Sequence, residues 1–409
     1  MAHINAHYNK LAAGYLFPEI ARRTEIFLKE HPGTRIRKLG IGNTTEPLTP
    51  AVIRGLKIGV DKLASPETYT GYGDEQGNRL LRERLASYYT ERGVSLSPED
   101  FFISDGAKSD SGNIQSIFSS DSITAFQDPS YPVYVDSNVI AGRSSGYNKE
   151  KGEYNNFVYM PCTKENNFMP EVPDQNVDII YLCSPNNPTG AVATHDQLKS
   201  FIEYARKHKA VLIFDAAYAE YISDPSLPKT IYEIDGAKEC AIEINSLSKF
   251  AGFTGVRLGW SIVPEELVIE GTSPGEVRKL WNRRQSTFFN GASNIVQEGA
   301  LAVFSREGLQ ESRNLVQYYM ENAQTIREGV ESAGMQAFGG INAPYIWLEI
   351  PSGLTSWEFF DKLLLETGVI GTPGSGFGPA GEGYFRLSAF GHHKDIKAAV
   401  ESIKNNLRL

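Results

Sequence analysis

An α/β fold with much parallel strand pairing is predicted by three features of this 409-residue chain. Between residues 101 and 263, short apolar runs alternate with helical patterns. Several of these runs are apolar at almost every position, as strands covered on both faces are. Several also end at a lone polar residue or a cluster of turn formers, where open α/β sheets bind ligands.

The elements follow in order. Residues 1–47 read as an arm: a helical pattern from Phe17 to Leu28, a strand-like piece, then Gly40-Ile-Gly-Asn-Thr-Thr-Glu-Pro. From Arg79 to Arg92, Leu80, Leu81, Leu85, Tyr88 and Tyr89 share one helical side, and Gly93 stops the helix. Phe101–Ser104, Ser122–Phe126 and Val177–Cys183 read as strands, the last ending at Ser-Pro-Asn-Asn-Pro-Thr-Gly. Ser104-Asp-Gly-Ala-Lys opens a helix-like run to Phe118. Thr194-His-Asp-Gln is a capping box that starts a helix running to about His208. Ala210–Phe214, Ala241–Asn245 and Leu258–Val263 are further strands. After residue 295 a long helix and a mixed region suggest a smaller α+β unit onto which the arm folds back. The expected division is an arm at 1–47, a large domain at 48–295 and a small domain at 296–409.

Composition excludes several classes. The net charge of −9 gives no footprint for nucleic acid or an anionic membrane surface. Cys162, Cys183 and Cys240 form no CxxC pair, which argues against a disulfide framework or a zinc site and for reduced thiols. No metal site is expected; the adjacent His392 and His393 have no evident partner cluster. The N-terminus lacks a signal-peptide pattern and no stretch has the length of a membrane span, so a cytoplasmic protein is expected.

Lys249 is the most informative position. It follows an apolar strand, with Ser246 and Ser248 beside it and Arg257 eight residues on. A lysine among anion-binding groups suits Schiff-base chemistry on a phosphorylated aldehyde; taken alone, it also suits a solvated loop. Asp215 ends an apolar strand, as a binding carboxylate or a turn residue would. Tyr218 could point the same way from the following turn, or into the core. Asn187 lies in a proline-fixed turn, which explains it equally well. Ser104-Asp-Gly-Ala-Lys gives a glycine turn before a helix, a weak phosphate signal. One ligand satisfies all of these. Pyridoxal 5′-phosphate needs a carboxylate at its ring nitrogen (Asp215), hydrogen bonds at its phenolic oxygen (Asn187, Tyr218), cations and hydroxyls at its phosphate (Arg257, Ser246, Ser248) and an amine at its aldehyde (Lys249).

Longer segments carry a resemblance: Gly71-Tyr-Gly-Asp-Glu-Gln-Gly, Asp128-Pro-Ser-Tyr-Pro-Val-Tyr, Cys183-Ser-Pro-Asn-Asn-Pro-Thr-Gly, Phe214-Asp-Ala-Ala-Tyr, Ser246-Leu-Ser-Lys, Ser286-Thr-Phe-Phe-Asn-Gly-Ala-Ser, Asn342-Ala-Pro-Tyr-Ile-Trp and Thr372-Pro-Gly through Arg386. On these the chain resembles the fold-type I, class I/II pyridoxal-phosphate aminotransferases almost end to end. Within them it is similar to the LL-diaminopimelate aminotransferases. The resemblance implies a large domain with a mostly parallel central sheet, a smaller α+β domain, and catalytic roles for Lys249, Asp215 and Tyr218. It implies that Tyr131 flanks the cofactor ring and that Ala107 and Lys108 help form the phosphate and substrate pocket. Arg386 would clamp the substrate α-carboxylate, and Lys108, Tyr131 and Asn187 would also contact the substrate. Tyr72 would reach the phosphate of a neighbouring subunit, making a homodimer the active unit. Tyr15, Gly42, Glu75 and Asn290 would hold the distal end of the substrate, Glu75 pairing with its second ammonium group. Asn43 stands where the pattern leads one to expect an acidic residue. The implied reaction interconverts LL-2,6-diaminopimelate plus 2-oxoglutarate and tetrahydrodipicolinate plus glutamate and water. The alternatives are an aspartate, alanine or aromatic aminotransferase and, from another class, a non-catalytic effector-binding domain. Gly376-Phe-Gly-Pro-Ala-Gly matches a dinucleotide motif but lacks the strand before and helix after that it requires.

Overall fold

The computed structural model describes residues 1–12, 16–40 and 42–409. Its centre is a seven-stranded sheet with spatial order 101–104, 259–262, 241–246, 211–215, 179–183, 124–128, 157–161. All pairings are parallel except those of Gly259–Ile262, which runs antiparallel to both neighbours. Every residue of Ile179–Cys183, Val211–Asp215 and Ala241–Ser246 is buried. Side chains alternate between faces, so each strand feeds two cores. Ile180, Leu182, Leu212 and Phe214 join one apolar cluster, while Ile179, Tyr181, Val211 and Ile213 join the other. Cys183 lies beside Asp215, and Ser246 beside Gly259, which is itself beside Ser104. One sheet edge thus presents the ends of five neighbouring strands.

The helices are α1 (Leu16–Glu30), α2 (Pro50–Asp61), α3 (Arg79–Thr90), α4 (Ala107–Asn113), α5 (Pro132–Ile140), α6 (His195–His208), α7 (Leu247–Phe250), α8 (Glu276–Phe288), α9 (Asn294–Val303), α10 (Arg306–Ser332), α11 (Ser356–Thr367) and α12 (His393–Asn406). The capping box before α6 is formed: Thr194 Oγ1 accepts from the Gln197 amide at 3.3 Å, and Gln197 Oε1 accepts from the Thr194 amide at 2.9 Å. In α3, Leu81, Leu85, Tyr88 and Tyr89 are buried, but Leu80 is 52% exposed. Arg82 takes a place on the buried side instead, its guanidinium held by Gly77 O, Pro98 O and the carboxylates of Asp74 and Glu99. The run expected as helix to Phe118 is α up to Asn113 and a 3-10 turn over Ile114–Ile117. The Gly376–Gly381 stretch falls in two 3-10 turns, Gly374–Phe377 and Pro379–Gly381.

A second, antiparallel sheet has the order 337–339, 345–349, 384–388, 372–373. With α11, α12 and the second half of α10 it encloses a separate apolar cluster that includes Phe359, Leu363, Ile396 and Val400. The arm folds back onto this unit: Arg37–Lys38 pairs in parallel with Val369–Ile370, and Leu39 enters the cluster. Helix α10 spans both units. Leu315, Val316 and Tyr319 pack on the large core, Ala323, Ile326 and Val330 on the small one. Packing of the large core therefore continues past residue 295 through α9 and the first half of α10. Among the described residues, no helix is long and apolar enough to cross a membrane.

Candidate active site

A cavity of about 530 Å³ opens at the carboxyl edge of the central sheet, between it and the small unit. Lys249 reaches it from α7, a single turn capped by Ser246, whose side chain accepts from the Ser248 amide. Its Nζ donates to the carbonyl of Gly42 in the arm. Loss of hydration, together with the guanidinium groups of Arg386 and Arg257, pushes its pKa down to about 7. Asp215 faces the cavity at the end of its strand, accepting from Tyr134 Oη at 2.6 Å and from the Ala217 amide at 2.9 Å. Burial raises its carboxyl pKa, opposed by these two hydrogen bonds.

Arg386 is 2% exposed and stands in the second sheet. It donates to Asn187 Oδ1 at 2.6 Å, Gly40 O at 2.7 Å and Thr372 Oγ1 at 3.3 Å, while its Nε has no partner among the described residues. Arg257 donates to Ser248 Oγ and to Thr254 O, both at 3.3 Å, and Ser246 Oγ donates to Ser248 Oγ at 2.8 Å. Arg257 has φ +73, a left-handed backbone that a side chain adopts only where its surroundings hold it there. Ala107, Lys108, Tyr131, Tyr218 and Gly42 also line the cavity.

Among the described residues, Lys249, Arg257 and Arg386 thus bond only neutral oxygens. Cations desolvated without a counter-ion are costly unless a ligand supplies the charge. At the far side, Asp215 offers a carboxylate bonded, among the described residues, by neutral donors alone. The cavity suits a ligand with two anionic ends and a protonated nitrogen between them and Asp215.

Comparison with known proteins agrees. The profile of the aminotransferase class I and II family matches residues 34–403. The chain belongs to that family. A solved L,L-diaminopimelate aminotransferase from Chlamydomonas reinhardtii is 47% identical, with 98% of each chain covered and a TM-score of 0.93. A substrate-bound BacF structure from Bacillus subtilis is 25% identical, with 99% of this chain and 98% of that one covered and a TM-score of 0.83. An aromatic aminotransferase from Pyrococcus horikoshii, 24% identical with 94% and 97% covered and a TM-score of 0.79, shares the fold.

This aminotransferase is pyridoxal-phosphate-dependent, as its family is, and the donor set fits that cofactor. The cations and the carboxylate have the charges that a phosphate, a substrate carboxylate and a protonated ring nitrogen would need. Of the residues singled out from sequence, Gly42, Ala107, Lys108, Tyr131, Asn187, Asp215, Tyr218, Ser246, Ser248, Lys249, Arg257 and Arg386 line one cavity. Tyr15 lies outside the described residues. Tyr72, Glu75 and Asn290 are exposed and do not line it. They share a surface instead: Ser286 Oγ donates to Glu75 at 3.4 Å, and Gly291 packs on the Asp74 carbonyl. Sequence reasoning missed Tyr134 and Tyr345, both cavity-lining. Tyr134 lies one helical turn past Tyr131, a spacing that does place the two side by side. Tyr345 lies in the Asn342-Ala-Pro-Tyr-Ile-Trp segment, which could have drawn attention to it, but it begins a strand whose neighbours are set by the second sheet, and nothing in that segment assigns it to the cavity.

Proposed function

We propose that this aminotransferase interconverts LL-2,6-diaminopimelate plus 2-oxoglutarate and tetrahydrodipicolinate plus glutamate and water, serving lysine and peptidoglycan precursor synthesis. The observation that carries the reading is the 47% identity over 98% of both chains to an L,L-diaminopimelate aminotransferase. When bound, pyridoxal phosphate supplies an aldehyde that takes up the amino group and a ring that accepts the electron pair of the substrate α-carbon.

The chain's own residues do the rest. Asp215 keeps a proton on the ring nitrogen, and Tyr131 flanks the ring. Tyr218 and Asn187 bond the phenolic oxygen. Arg257, Ser246 and Ser248, with the backbone at Ala107 and Lys108, hold the phosphate. Arg386 grips the substrate α-carboxylate through its free Nε and the guanidinium edge that Asn187 orients. Lys249 would hold the cofactor through its aldehyde. With a pKa of about 7, its freed Nζ is available as a base near neutral pH, to take the proton from the substrate α-carbon and return it in the other direction.

The distal end of diaminopimelate carries a second ammonium and a second carboxylate. Tyr15, the Gly42 carbonyl, Glu75 and Asn290 serve it, and Tyr72 the phosphate. Because Tyr72, Glu75 and Asn290 lie on the chain's surface, they serve the cavity of a second copy in a homodimer. An exposed apolar face supports this: Ile58, Val60, Tyr69, Tyr72 and Phe288 are 51–85% exposed. The segments are joined, since Asn294 donates to Thr70 and Gly71 and α2 packs on α9 at Gly59. The proposed setting is the cytoplasm.

The test is spectroscopic. The visible band of the purified holoenzyme shifts on adding LL-diaminopimelate and returns with 2-oxoglutarate. A band that ignores LL-diaminopimelate and responds to aspartate, alanine or an aromatic amino acid defeats the substrate assignment.

A further inference from the structure

Tyr345 lies in the Asn342-Ala-Pro-Tyr-Ile-Trp segment, but the proposed mechanism gives it no role. It opens the strand Tyr345–Glu349, in which Trp347 pairs with Arg386 of the neighbouring antiparallel strand. Side chains two apart on a strand share a face, so Tyr345 and Arg386 are diagonal neighbours on one face. The Arg386 guanidinium lies over the Tyr345 ring, 4.5 Å from its centroid. At the other end of the ring, Tyr345 Oη is 2.7 Å from Tyr218 Oη. The two rings meet edge to face at 5.2 Å. Tyr345 is 1% exposed. The arm closes over its hydroxyl: a Cβ at Gly42 would stand 2.8 Å from that oxygen, so only glycine admits the arm so close.

We propose that Tyr345 is a positioning residue joining the carboxylate clamp to Tyr218: its ring seats Arg386, and its hydroxyl donates to Tyr218 Oη, holding the Tyr218 proton toward the cavity. The inference rests on the roles proposed above for Tyr218 and Arg386. The donor direction follows from proton counting. Each phenol has one proton, and Tyr218 can offer its own to the cofactor's phenolic oxygen only if it accepts from Tyr345. Donation in series strengthens each bond. A cation over the ring face makes the phenol a better donor, so a substrate carboxylate that neutralises Arg386 weakens the donation reaching Tyr218. The charged and titratable groups facing the Tyr345 hydroxyl are Tyr218, Arg386, Cys183, Asp215 and, across Gly42, Lys249.

The experiment uses the holoenzyme and its Tyr345→Phe, Tyr218→Phe, double and Tyr345→Leu variants. Two readouts are taken, the pH midpoint of the visible band and kcat against KM. In Tyr345→Phe, weaker donation leaves the phenolic oxygen more basic, so the midpoint rises. kcat falls about two- to tenfold, the worth of one hydrogen bond, and KM is unchanged because the ring remains. Tyr218→Phe moves the midpoint further, and adding Tyr345→Phe to it changes nothing more. Tyr345→Leu, which removes the seat of Arg386, also raises KM about two- to thirtyfold. A wild-type midpoint in Tyr345→Phe, or additive shifts in the double variant, overturns the inference alone. A wild-type midpoint in Tyr218→Phe overturns the Tyr218 assignment with it. An unchanged KM in Tyr345→Leu removes the role of the ring.

Discussion

A lysine amine in water stays protonated past pH 10, and a protonated amine neither attacks a carbonyl nor accepts a proton. Lys249 escapes this because it gives up water beside two guanidinium groups and, among the described residues, gains no carboxylate in exchange. Replacing it with alanine should cut turnover at least about 10³-fold while cofactor is still bound non-covalently, checked by steady-state rates and absorbance after gel filtration. The same group makes a stability statement about the protein before cofactor binds. Between its folded pKa of about 7 and the ordinary 10.5, the unfolded chain holds a proton that the folded chain does not. The penalty is therefore complete below the lower value and fades as pH rises to the upper one, with a slope of about 1.4 kcal/mol per pH unit. In Lys249→Met this component vanishes. Denaturant midpoints of the cofactor-free proteins at pH 7.5 and 9.5 should converge at the higher pH, with the variant the more stable at the lower.

The elements that carry the site are strand ends and the turns that follow them. That is why much of it was legible in the sequence. Asp215 and Asn187 each come within a few residues of the end of an apolar run, and Lys249 follows a buried strand in which Glu243 and Asn245 interrupt the apolar residues; the runs are apolar because helices cover both faces of the sheet. Phe157–Pro161 was not read as a strand. It lies at the sheet edge, mostly half-buried and ending in proline, so neither full burial nor alternation marks it. The reversed direction of Gly259–Ile262 was equally invisible, since side-chain pattern does not encode polarity. The turn Ser104–Ala107 shows how tightly one element can set another. Gly106 has φ +137, and a Cβ there would stand 2.2 Å from Arg257 Nη2. Ser104 Oγ accepts from its amide at 3.3 Å and donates to the buried Asp110 at 2.6 Å. Gly106→Ala should strain the turn and displace Arg257, weakening cofactor binding about tenfold or more with little change in folding of the sheet. Fluorescence titration with pyridoxal phosphate would show it; unchanged affinity would separate Arg257 from the phosphate.

At the scale of the whole molecule, what the sequence did not show by itself is which distant segments meet. Arg386 reaches Asn187 only because the second sheet docks against the carboxyl edge of the first, and Gly42 reaches Lys249 only because the arm pairs with Val369–Ile370. Local pattern gives strand ends; the meeting of residues some 200 apart depends on packing, and only the resemblance named Arg386 and Gly42 in advance. The same limit applies across chains. Tyr72 is 85% exposed and does not line its own cavity, so its proposed place at a phosphate requires a second subunit. Two inactive variants test this directly. A Lys249→Ala homodimer lacks the amine in both sites, and a Tyr72→Ala homodimer lacks the donated phenol in both. In a hybrid of the two, one site combines the intact lysine of one subunit with the intact tyrosine of the other, while the second site lacks both. Subunit exchange in equal proportions should therefore restore about a quarter of wild-type activity, from half the dimers with one working site each. If each tyrosine served its own chain, every site in the hybrid would lack one group, and mixing would restore nothing.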